Sequence, residues 1–228
     1  MTKISRLRTL TTGDGSPTLQ RVDTGWTYRS DRGALRESRH VFVAGADVLD
    51  RARIRVLEFG FGVGTNFAAL VEAASKAQVE AVDYVAVEHA PVPPDLLPAF
   101  DLRSHALAVQ ATTDQTAEAD GVRLTLHRGR FEDHRAQGSY DAVFFDPFGP
   151  EDEPDSWGVE ATAAAAAGLA EDGRLVTYSS AGWIRRNLAA VGLFVATVPG
   201  PIEGKREFTI AAKDRARLGP VKVRNVPR

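Results

Sequence analysis

From residue 54 onward, short apolar runs rich in β-branched residues alternate with longer, alanine-rich segments. The runs at 54–59, 84–88, 122–127, 140–145 and 174–178 are bounded by Gly, Asp or Pro, the pattern of strands buried on both faces in a parallel sheet. Between them, 65–76 sets Phe67, Leu70, Val71 and Ala74 on one helical face. A proline-interrupted stretch at 94–110 and the segment 156–170 are the next predicted helices. The run EATAAAAAGLA within the latter is explained by alanine's high helix propensity and carries no functional message. The rhythm then changes. A helix at 181–191 is followed by strands at 193–198 and 207–212, joined by a connection too short for a helical crossover, so this last pair is predicted to be antiparallel.

Residues 1–50 read differently, as an N-terminal extension. Strands at 18–23 and 26–29 around Thr24-Gly25 predict a small hairpin, and GALRESRHVFVAG predicts a short amphipathic helix ending near Gly45. Residues 51–228 form the main domain, for which the alternation predicts a doubly wound α/β sheet. Five parallel strands, a helix and a terminal antiparallel hairpin are the element order of the class I S-adenosylmethionine (SAM)-dependent methyltransferases, a Rossmann-like fold.

Composition narrows the chemistry. With no cysteine among 228 residues, disulfides, thiolate metal sites and a cysteine nucleophile are excluded. The five histidines have no metal-ligand spacing, so no metal site is expected. No run reaches the roughly 18 apolar residues of a membrane span, and the first residues lack the pattern of a signal peptide; a cytoplasmic protein is the expectation. Thirty acidic against 28 basic residues leave a net charge of −2, so any contact with nucleic acid must use a local basic patch.

The most informative segment is VLEFGFGVGTN at 56–66, where a strand runs through Gly60, Gly62 and Gly64 into an amphipathic helix. Glycines serve where backbone turns sharply and approaches a ligand, and the helix N-terminus behind them offers N–H groups to an anion. The spacing is GxGxG rather than the dinucleotide GxGxxG, which favours SAM over a nicotinamide cofactor. Glu58 is expected to meet the cationic methionine end of SAM directly or through water. Asn66 opens the helix behind it, and Glu88, ending the second strand of the sheet, is expected to accept both ribose hydroxyls. The fourth strand ends in Asp146-Pro147-Phe148, at the carboxyl edge where an open α/β sheet has its crevice. That loop supplies an acceptor and an aromatic wall. An alkyl amine substrate is mostly protonated near neutral pH, so Asp146 is assigned to orienting the amine and stabilising the ammonium product, with acceptance of the amine's proton left open as a second role.

Three segments carry a more specific likeness: LEFGFGVGTN, DAVFFDPFGPEDEPDSW and TYSSAGWIRRNLAAVGLFVATVPGPIEGKRE. Together with DGSPTL, Tyr28-Arg29-Ser30 and GALRESRHVFV, they resemble the methyltransferase domain of the MnmC family, which makes 5-methylaminomethyl-2-thiouridine at the tRNA wobble position. The resemblance implies that SAM methylates the primary amine of an aminomethyl-uridine in tRNA. It places Tyr28, Glu58, Gly60, Gly62, Gly64, Asn66 and Glu88 around the cofactor, and Asp146 and Phe148 at the reacting end. Arg130 follows Gly129 where the family has an acidic residue near adenine. Trp157, Arg185, Arg186, Lys205 and Arg206 are the expected substrate contacts, with tRNA as the partner. The family's flavin-dependent oxidase half has no counterpart within these residues, so a separate oxidase is expected to supply the aminomethyl substrate. Two other readings fit the residues: methylation of a small-molecule or protein amine, and a non-catalytic SAM-binding module.

Overall fold

A computed structural model describes residues 7–201 and 206–219. The chain runs β1 (Leu7–Thr11), β2 (Pro17–Arg21), α1 (Ala34–Glu37), β3 (Arg53–Phe59), α2 (Thr65–Lys76), β4 (Ala81–Glu88), α3 (Leu102–Asp114) and β5 (Thr116–Ala119). It continues with β6 (Val122–Arg128), β7 (Tyr140–Phe145), α4 (Val159–Ala167), β8 (Leu169–Thr177), α5 (Gly182–Ala190), β9 (Phe194–Pro199) and β10 (Glu207–Ala212). Eight strands form one sheet in the order β5-β6-β4-β3-β7-β8-β10-β9. Strands β6, β4, β3, β7 and β8 are mutually parallel. The crossover from β8 through α5 to β9 skips one position in the sheet, and β10 fills it, antiparallel to both neighbours.

The expected parallel strands and terminal hairpin are present, as is the helix over residues 65–76. Three readings need correction. The N-terminal hairpin is β1 against β2, with Leu10 opposite Thr18. The expected strand at 26–29 is reduced to a single bridge between Gln20 and Thr27. A four-residue edge strand, β5, lies antiparallel on β6 in a segment for which the sequence pattern predicts no element. Helix α4 ends at Ala167, and Leu169, expected to be helical, already begins β8.

Alternation along the central strands sets two cores on opposite faces of the sheet. Ile54, Val56, Tyr84, Ala86, Ala142 and Phe144 belong to the core beneath α2 and α3, which also includes Leu19, Val41 and Phe42 from the N-terminal part. Leu57, Phe59, Val85, Val87, Val143 and Phe145 belong to the core beneath α4 and α5. Extending the first series by one step on each strand reaches Glu58, Glu88 and Asp146. Strand parity therefore directs all three acids to the α2 face at the carboxyl edge of the sheet.

Candidate active site

At that edge lies a cavity of about 320 Å³ lined by Tyr28, Arg29, Gly60 to Val63, Glu88, Phe131, Asp146 to Gly149, Glu153 and Tyr178, among others. The chain leaving β3 turns through positive φ at Gly60, where a Cβ would collide with the Asp146 carbonyl oxygen. The turn can therefore pass against the end of β7 only as glycine. The Gly62 N–H donates to Glu88 Oε2 at 3.1 Å, and the Ala90 N–H donates to Oε1 at 2.9 Å. These bonds fix the carboxylate, and each oxygen retains further lone-pair capacity. Gly64 begins α2 at φ 77° with no side-chain cap on the helix N-terminus. Tyr28 stands edge-on to Phe148 with ring centroids 5.0 Å apart.

A buried polar chain underlies this surface. Tyr84 donates its hydroxyl to Glu58 Oε2 at 2.8 Å. The Asn66 amide nitrogen donates to Glu58 Oε1 at 2.7 Å and to Asp146 Oδ2 at 2.8 Å. Arg29 closes the chain with an ion pair to the same Asp146 oxygen, the two side chains being 7% and 6% exposed. The Arg29 guanidinium also lies over the Phe42 ring, 5.5 Å from its centroid. Burial raises the Asp146 carboxyl to a pKa of about 7, against the opposing pull of Arg29. Glu58 is raised to about 8, by burial and then by the charge of Asp146. Two carboxyl groups thus share one guanidinium out of water. If both were ionised, the cluster would carry a net buried charge of −1, and holding one proton makes it neutral.

The structure brings Tyr28, Gly60, Gly62, Glu88, Asp146 and Phe148 together in the cavity wall. Glu58 and Asn66 are fully buried behind it, and Glu58 is engaged on both oxygens, so it acts on Asp146 through Asn66 rather than reaching into the cavity. Trp157 is a correction: it is fully buried and cannot stack on a base. Its indole N–H instead donates to the Phe148 carbonyl at 2.7 Å, while Tyr178 donates its hydroxyl to Pro147 O at 3.0 Å. Both pin the Asp146-Pro147-Phe148 loop. Arg130 lies in a neighbouring recess of about 270 Å³, ion-paired with Glu132. Arg206 lines an open recess of about 690 Å³ with Ser179 and Ser180, which meets the main cavity at Tyr178. Arg185 and Arg186 are on α5, outside the cavity wall. Lys205 falls outside the described residues. Arg29 and Tyr84 are site residues that the reading of individual residues missed; the only signal was a lone arginine in the Tyr28-Arg29-Ser30 segment. No group of three or more His, Asp or Glu able to hold a metal occurs among the described residues, and no described helix is long and apolar enough to cross a membrane.

The profile of the S-adenosyl-L-methionine-dependent methyltransferase family Methyltransf_30 matches residues 100–214. The chain belongs to this family. SAM is accordingly its methyl donor. Over 230 aligned residues it is 33% identical to the tRNA 5-methylaminomethyl-2-thiouridine biosynthesis bifunctional protein MnmC of Aromatoleum aromaticum, an alignment covering 92% of this chain and 36% of that protein. The chain thus spans about a third of the length of that relative. The crystal structure of MNMC2 from Aquifex aeolicus superposes with a TM-score of 0.81 at 26% identity, covering 93% of this chain and 72% of that one. Spermidine synthase from Thermotoga maritima shares the fold at a TM-score of 0.57 and 16% identity, covering 100% of this chain and 77% of that one.

Proposed function

We propose that this methyltransferase transfers the methyl group of SAM to the primary amine of 5-aminomethyl-(2-thio)uridine at the wobble position of tRNA. The observation that carries the reading is Asp146, a buried acid in the cavity wall between the glycine turn and the Tyr28–Phe148 pair. Similarity to MnmC proteins over most of the chain supports the choice of acceptor.

The residues present fit the cofactor. The backbone of Gly60 to Gly64 and the uncapped start of α2 suit its carboxylate and ribose, and Glu88 suits the ribose hydroxyls. A Cβ at Gly62 would stand 3.2 Å from the Tyr28 ring, so the backbone there lies flush with the aromatic wall. Bound SAM supplies a methyl carbon on a sulfonium, which makes the thioether a good leaving group. The chain itself orients the nucleophile and excludes water. Asn66 and Arg29 both hold Asp146 by Oδ2; no described residue bonds to Oδ1, which serves as the acceptor for an amine N–H. Its raised pKa suits it to take the proton an ammonium must lose before its lone pair is free. Glu58 and Arg29 are positioning residues that act through Asp146. Arg185, Arg186 and Arg206 supply phosphate contacts. An oxidase that unmasks the amine acts before this step.

A second reading, methylation of a small cationic amine, is favoured by Glu153 in the cavity wall. Mass spectrometry of tRNA nucleosides from a deletion strain separates the two. Loss of the methylaminomethyl form with accumulation of the aminomethyl form is expected, and an unchanged nucleoside profile overturns the tRNA assignment.

A further inference from the structure

In the proposed reaction one nucleotide reaches the cavity, yet a tRNA loop presents several, and unpaired bases are held chiefly by stacking on aromatic side chains. Of the three tryptophans, Trp157 is sealed in the core, while Trp26 and Trp183 are each 37% exposed. Neither is in the cavity wall itself, and Trp183 lies on α5, whose residues do not line the cavity. Trp26 lies two residues before the cavity residue Tyr28, on a segment held by defined bonds. The Arg21 N–H donates to Trp26 O at 2.8 Å, and the Tyr28 N–H donates to Leu19 O at 2.9 Å. Between them Thr27 bridges Gln20. The preceding turn is fixed by Gln20 Nε2 donating to Gly25 O at 2.7 Å.

Alternation across that bridge sends the side chains of Trp26 and Tyr28 to the same side, about 7 Å apart along the chain. The Arg21 guanidinium lies 5.5 Å from the Trp26 ring centroid. The residues that follow Trp26 directly, Thr27 and Tyr28, are in the cavity wall, which sets this pair next to it along the chain. Arg21 is also ion-paired with Asp23 at 3.4 Å, which holds it in place beside the ring, and an exposed indole fixed in this way offers a surface on which an unpaired base can stack.

We propose that Trp26, backed by Arg21, is a stacking platform for the unpaired base next to the nucleotide that enters the cavity. This rests on the tRNA reading above and assigns an RNA contact beside the cavity to the segment that follows β2.

The test compares wild type, W26A and W26F for methylation of tRNA bearing the aminomethyl-uridine, methylation of the free nucleoside, and binding of an anticodon stem-loop RNA. W26A should raise KM for tRNA and weaken RNA binding about tenfold or more, the loss expected for one stacked base. Its kcat, its SAM affinity and its rate on the free nucleoside should stay at wild-type levels, and W26F should recover most of the loss. Wild-type tRNA affinity in W26A overturns the proposal, and so does an equal loss on the free nucleoside, which would make Trp26 structural. If wild type binds the stem-loop through Trp26 but methylates neither substrate, the platform stands and the proposed acceptor falls. If wild type does not bind the RNA, both fall.

Discussion

Asp146 is held by two donors on one oxygen, inside protein, beside a second acid that reaches it through Asn66. Replacing it with Asn keeps the shape and removes the charge. D146N should lower kcat by about 10²- to 10⁴-fold, the range of a lost acid–base group, with SAM affinity preserved in calorimetry. In wild type kcat should rise with pH through a midpoint near 7, where the carboxylate becomes ionised. Stability should move the opposite way. Both acids bind protons more tightly folded than unfolded, their pKa values being raised from 3.8 to about 7 and from 4.5 to about 8. Their contribution is therefore complete below pH 4 and is lost as pH rises through about 8. The Tm of the ligand-free protein should fall across that window, and E58Q should flatten the slope. Arg29→Met leaves the acids buried without their cation and should cost about 3–5 kcal/mol in denaturant unfolding.

At the level of elements, the strands that bring Glu58, Glu88 and Asp146 to the carboxyl edge were legible because continuous apolar runs bounded by turn residues have few other interpretations. Helix α2 was legible from its apolar face. The β5 strand was not: TAEA has only Ala117 buried and lies at an exposed edge. Strand β1 escaped because LRTLT has no buried residue and gains its place from pairing with β2. Acids at the strand ends could be read, but not which of them faces the cavity. That depends on Tyr84 and Asn66, which occupy Glu58 and leave Glu88 and Asp146 in the wall. Trp157 was misread for a related reason, since a tryptophan after an acidic loop looks the same in sequence whether it faces water or the core. Its indole bond to Phe148 O makes W157F a test of the loop. An orphaned carbonyl should cost about 1–3 kcal/mol, and the loosened Asp146 loop should lower kcat more than it changes SAM affinity.

On the scale of the whole molecule, a net charge of −2 leaves RNA binding to a few cations, so attraction must be local and shallow in its salt dependence. With Arg185, Arg186 and Arg206 each neutralising one phosphate, log affinity for tRNA should fall with log salt at a slope of about −2. R185A/R186A should reduce that slope by about 1.4 while leaving activity on the free nucleoside intact. The sheet's connectivity bears on biogenesis. Strand β10 sits between β8 and β9, although it is made after both. A nascent chain that has emerged only as far as residue 200 therefore holds two strands whose facing backbone edges await the same absent partner. Until the last strand arrives from the ribosome, that slot is the point at which a chaperone, or a neighbouring nascent chain, would compete for the sheet.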